Sequence, residues 1–194
     1  STAILAGTSM VSGNTTYVKS GTYTGAVTYT AAINTWVGFA TNHYDNGTKP
    51  LITIATNNPL FNVDSATIST IINMSFSSTS GTRHRGLEAG LGTGPYLTVI
   101  NCTFDGFSYA IFGDNGAVGY WGRMYVDGVE IKNGTTGGMQ SSGFSVYVRG
   151  SYIHDNTGDG ISVGNTALFV DRTILTGNTQ GIVDGSNSTF FISN

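Results

Sequence analysis

MYVDGVEIKNGTTGGMQSSGFS from Met124, VYVRGSYIHDNTGDGISVGNTA from Val146 and LFVDRTILTGNTQGIVDGSNST from Leu168 are three rows of one 22-residue repeat. FFISN from Phe190 opens a fourth row. Met124, Val146, Leu168 and Phe190 share one column, and Val126, Val148, Val170 and Ile192 share the next apolar one. Ile131, Ile153 and Leu175 form a third. A fixed period of this length marks a solenoid, in which each unit buries its apolar face only against its neighbours.

Leucine-rich repeats also have periods of this size, but the chain has eight Leu and no row fits L-x-x-L-x-L. Each row is instead a series of short alternating apolar and polar pieces broken by Gly, Asn, Asp and Thr, which predicts strands and tight turns. The phrases VRGSYIHDNTGDGI (148–161) and VINCTF (99–104) resemble the right-handed parallel β-helix, or pectin lyase-like, superfamily. The stretch GTYTG (21–25) resembles the opening coil of secreted β-helix proteins. The resemblance implies an all-β, single-stranded right-handed parallel β-helix of about seven coils. It implies little about activity, because many functions share such coils.

The columns extend upstream with longer spacings, through Ile71 and Val99 to Val126. Two residues further on stand Asn73, Asn101, Gly128, Gly150, Arg172 and Asn194. Asn and Gly suit a tight turn because they tolerate positive φ. The resemblance implies a stacked asparagine ladder at Asn73 and Asn101; Arg172 has to point outward. Met74, Cys102, Val129, Ser151 and Thr173 follow, then Phe76, Phe104, Ile131, Ile153 and Leu175; alternation predicts both sets inward.

Composition agrees. The 194 residues include 28 Gly and only 3 Pro, with 10% charged residues but 39% apolar ones. That is too apolar for disorder and suits a narrow core with many turns. The net charge of −3 and three Lys give no footprint for nucleic acid, and no apolar run predicts membrane insertion. Cys102, the single cysteine, is expected as a buried apolar thiol. Residues 1–20 are expected to be an N-terminal arm or cap, and 21–194 the β-helix. The loops of the larger coils are placed at Ser77–Tyr96 and Phe112–Arg123. The start at Ser1 suggests a processed fragment. The strand at 190–194 should offer an open edge, covered by further residues of the same polypeptide or by another subunit, which predicts an oligomer or a larger assembly.

Several constellations are candidates for function. Asp127, Arg149 and Asp171 fall in one outward column ending at Ser193. Carboxylates two coils apart sit at about 9–10 Å, close to the separation in inverting glycosidases. In the resembled family an arginine base works beside acid-bound calcium, so these three are the catalytic candidates. The plainer account is a ladder that avoids stacking like charges, with the arginine keeping both acids ionised. Tyr125, Tyr147, Phe169 and Phe191 form a second outward column, suited to sugar rings, to a protein surface or simply to sheet stability. Arg83, His84 and Arg85, with Glu88, form the densest charge cluster, on an expected loop where an anionic sugar or partner carboxylate would dock. His154, Asp155 and Asp159 offer too few ligands for calcium, so no cofactor or metal is assigned, and His154 is expected to be a solvated turn residue. Sequons stand at Asn14, Asn46, Asn73, Asn101, Asn133 and Asn187. No Gly-His-Gly segment with paired Asp, nucleophile elbow, P-loop or zinc spacing is present. The expectation is a non-catalytic structural or binding module of an extracellular surface protein, fibre or phage tailspike, at a cell surface or on a virion, contacting polysaccharide. The alternative is a fragment of a polysaccharide lyase or glycoside hydrolase.

Overall fold

In the segment 122–127, Gly122, Met124 and Val126 are buried while Arg123, Tyr125 and Asp127 are exposed. Period-two alternation of this kind makes a strand with one wet face. The computed structural model describes residues 13, 15–25, 29–30, 34–40, 47–54, 59–63, 68–79, 85–89, 96–114 and 122–193. Its described strands form three sheets of eight, seven and seven strands. One coil shows the plan. Gly122–Asp127 lies in the first sheet, Glu130–Lys132 in the second and Gly137–Ser142 in the third. Phe144–Arg149 then returns to the first sheet and pairs in parallel with Gly122–Asp127. Every coil-to-coil pairing among the described strands is parallel, so the chain is a parallel β-helix.

The repeat sets the register. Met124 pairs with Val146, Val146 with Leu168, and Leu168 with Phe190. Upstream, Ile71 pairs with Val99 and Val99 with Val126, as the longer spacings required. The inward columns build one continuous core. Ile71, Val99, Val126, Val148 and Val170 are all buried, as are Met74, Cys102, Phe76, Phe104, Ile131 and Ile153. Phe76 stacks on Phe104 at 5.0 Å. Each such side chain contributes about 1.5–3 kcal/mol over the exposed state. Burial in this column pushes the Cys102 thiol up to about 12, so it behaves as an apolar group. The columns open towards the last coil, where Phe190 is 36% and Ile192 63% exposed.

The first turn is left-handed in five successive coils. Asn73, Asn101, Gly128, Gly150 and Arg172 all have φ between 45° and 62°. Asn101 Nδ2 donates to Asn73 Oδ1 at 3.0 Å, and Asn73 Nδ2 donates to the Gly38 carbonyl at 2.9 Å. The side-chain amides thus satisfy polar groups that the turn buries. Arg172 has the same backbone but an exposed side chain, paired with Asp171.

Two expected loops contain strands. Arg85–Ala89 belongs to the third sheet, with Leu87 and Ala89 fully buried. Of the loop expected at Phe112–Arg123, the first residues belong to the strand Tyr109–Asp114 and the last to the strand Gly122–Asp127, while 115–121 lie outside the described residues. Short Gly-rich strands such as RGLEA carry too few apolar residues to show alternation. At the other end, Thr15–Lys19 pairs in parallel with Asn34–Phe39, inside the segment expected to be an arm or cap.

The face assignment makes a direct prediction. Val148→Asp should cost several kcal/mol, because it buries an unpaired carboxylate, whereas Tyr147→Asp next to it should cost far less. Thermal melts of the two variants check this; equal losses would contradict it.

Candidate ligand-binding cleft

The outward residues of the first sheet stack as the inward ones do. In a ladder where each residue meets its own column-mate, like side chains lie on like. Tyr125 and Tyr147 stack at 4.8 Å with 14° between planes. Tyr147 and Phe169 stack at 4.5 Å and 2°, and Phe169 and Phe191 at 4.5 Å and 5°. The four rings therefore form one continuous pile, as the column predicted. Its interior faces cover one another, so solvent meets ring edges, the two tyrosine hydroxyls and the far face of Phe191, which is 51% exposed.

Two residues along each strand runs the charged column, with Asp127 against Arg149, Arg149 against Asp171 and Asp171 against Ser193. Arg149 Nε lies 3.8 Å from Asp171 Oδ2 and Arg172 Nε 3.1 Å from it. Ser193 Oγ donates to Asp171 Oδ1 at 2.9 Å. The Ser193 hydrogen bond, helped by Arg172 and Arg149, holds the Asp171 carboxyl below the usual aspartate value. Between the aromatic and charged columns runs a cleft of about 710 Å³, floored by the backbone of Val126, Val148, Val170 and Ile192 and continued upstream by Thr98 and Ile100. Two residues before Tyr125 on the strand, Arg123 lies 5.8 Å over the Tyr96 ring, and a hydrogen bond with Tyr125 raises the Arg123 guanidinium further. The cleft thus brings together seven of the ten candidate residues named from the sequence.

The remaining three are Arg83, His84 and Arg85. Arg83 and His84 lie outside the described residues. Arg85 is on a strand of the third sheet, ion-paired with Glu88 and with its guanidinium 3.3 Å from the Phe112 ring centroid. Arg85 thus stands on a strand, not on the loop expected at this position.

His154 also departs from expectation. It is buried on the second sheet, not solvated in a turn. Its ring stacks on Tyr152 at 3.9 Å. Nδ1 lies 2.7 Å from Asp155 Oδ2, and Nε2 lies 3.4 Å from Glu130 Oε1 on the preceding coil. Lys132 reaches the same Glu130 oxygen at 3.2 Å. Among the described residues no group of three or more His, Cys, Asp or Glu side chains is arranged to hold a metal ion.

A second asparagine ladder escaped the sequence reading. Asn156 Oδ1 accepts from the Gly134 amide at 2.8 Å, and Asn156 Nδ2 donates to Asn178 Oδ1 at 2.7 Å. Asn178 Nδ2 closes the chain on the Ile153 carbonyl at 2.9 Å. The signal was present, since Asn156 and Asn178 stand one repeat apart. Of the sequon asparagines, Asn73 is buried and Asn101 half-buried in the first ladder, while Asn133 and Asn187 are exposed. Asn14 and Asn46 lie outside the described residues.

Comparison with protein-family models, with curated proteins and with solved structures gives no match for this chain.

The Glu130 cluster sets a pH dependence. Partial burial alone would raise the Glu130 carboxyl, but hydrogen bonds from Lys132 and His154 draw it below 4.5. A depressed carboxylate stabilises the fold above its unfolded pKa and loses that contribution as pH falls through the folded value. The stability advantage of the wild type over Glu130→Gln should therefore be complete at neutral pH and shrink once pH drops below about 4. Denaturant unfolding of both proteins across this range checks it; a constant difference would contradict it.

Proposed function

We propose that the chain is a non-catalytic structural and binding module of the right-handed, pectin lyase-like kind, part of an extracellular surface protein, fibre or phage tailspike. Its ligand is an extended carbohydrate chain lying in the cleft of the first sheet. One observation carries this reading: from Tyr125 and Asp127 to Phe191 and Ser193 the cleft has two unlike walls, one aromatic and one polar. A sugar chain is likewise two-sided, with C–H patches and hydroxyls. Ring edges suit the former, and Asp127, Arg149, Asp171 and Ser193 suit the latter.

The hydrolase alternative needs one acid of the pair to carry a proton. Asp171 is held ionised by Ser193, Arg172 and Arg149, which speaks for binding over general-acid work. Exposure of Phe190 and Ile192, in columns buried elsewhere, supports a protein surface covering the last coil.

Calorimetric titration with neutral and acidic oligosaccharides tests the binding. The expected result is a ligand whose affinity falls roughly tenfold in Phe169→Ala and in Arg149→Ala, with no cleavage products. Affinity unchanged in both variants would contradict the cleft as the site. Oligosaccharide release that disappears in Asp127→Asn or Asp171→Asn would establish the enzyme instead.

A further inference from the structure

We propose that Asn133–Gly134 is a latent deamidation site, held shut by the second asparagine ladder. Both residues are forced by the fold. Asn133 sits in a left-handed turn at φ 54°, where asparagine is among the few tolerated side chains. Gly134 is buried, and a Cβ there would collide with the Gly137 carbonyl oxygen and with Asn156 Oδ1. The local geometry thus accommodates an Asn-Gly pair, whose unhindered following amide is well placed to attack the asparagine side chain.

The reaction needs only water. The Gly134 backbone nitrogen gives its proton to hydroxide and bonds to Cγ of Asn133. The Cγ–Nδ2 bond breaks and the amide nitrogen leaves as ammonia. Water then opens the cyclic imide at either carbonyl, giving aspartate or isoaspartate.

Both reacting groups are engaged in the folded chain. The Gly134 N–H is donated to buried Asn156 Oδ1 at 2.8 Å, so its proton is shielded from hydroxide. Asn133 Nδ2 donates to Asp105 Oδ1 at 2.8 Å, which holds the side chain towards the preceding coil. Asn156 is itself fixed by Asn178. Attack therefore requires local opening of this turn. Once formed, the product acts against the fold. A carboxylate at 133 faces Asp105 where a donor stood, so a hydrogen bond becomes a like-charge contact.

The test is peptide mapping by mass spectrometry during incubation in mildly alkaline buffer. Native protein should convert Asn133 at least about tenfold more slowly than the urea-unfolded chain. Folded Asn156→Ala should convert it several-fold faster than the native wild type. Should Asn156→Ala not fold, the wild type alone decides. Across sub-denaturing urea, loss of Asn133 should rise in step with hydrogen exchange of the Gly134 amide. Equal rates in native and unfolded chains, a folded Asn156→Ala no faster than wild type, or a rate indifferent to Gly134 exchange would each overturn the proposal.

Discussion

One constraint governs this molecule: no coil can bury its apolar face except on the next coil in register. A row of 22 residues has too few apolar side chains to close a core of its own. Stacking supplies the missing wall, and parallel backbone hydrogen bonds fix the neighbour at strand spacing. A slip of one residue would turn Val148 out to solvent and Tyr147 into the core, so register is strongly specified. The turns reinforce it. Left-handed residues recur at Asn73, Asn101, Gly128, Gly150 and Arg172, and asparagine side chains connect coil to coil at two places.

The same constraint shapes the surface. Stacked rows place like beside like, which suits aromatic rings and is intolerable for charges of one sign. The two outward columns of the first sheet show both outcomes. Tyr125, Tyr147, Phe169 and Phe191 pile face to face, whereas Asp127, Arg149, Asp171 and Ser193 alternate acceptor and donor. The cleft between them is thus a consequence of register, and its chemistry a consequence of which residues fill two positions per row. Ring piling also limits how a ligand can approach. Ring edges are offered along the column, and its two end rings, Tyr125 and Phe191, are stacked on one side only.

Much of this was legible because periodicity is visible in the chain itself. The core columns, the Asn73–Asn101 contact and both outward ladders follow from aligning rows. What escaped depends on neighbours remote in sequence. His154 looked like a turn residue within HDNTGDG, yet Glu130 on the previous coil and the Tyr152 ring enclose it. Arg85 looked like part of a loop because RGLEA is short and its partners, Tyr109 and Phe112, lie a coil away. The Asn156–Asn178 ladder is aligned by the rows as well, but the phrase HDNTGDG resembles a metal loop and masks the column.

Backbone contacts between coils test the central claim most directly. Nuclear Overhauser effects between strands distinguish parallel from antiparallel pairing by whether residue numbers keep a constant difference or a constant sum. The account predicts a constant difference of 22 through Val126, Val148, Val170 and Ile192. It predicts a longer offset, 28, between Asn73 and Asn101. Contacts whose residue numbers keep a constant sum, joining successive rows as hairpins, would contradict it.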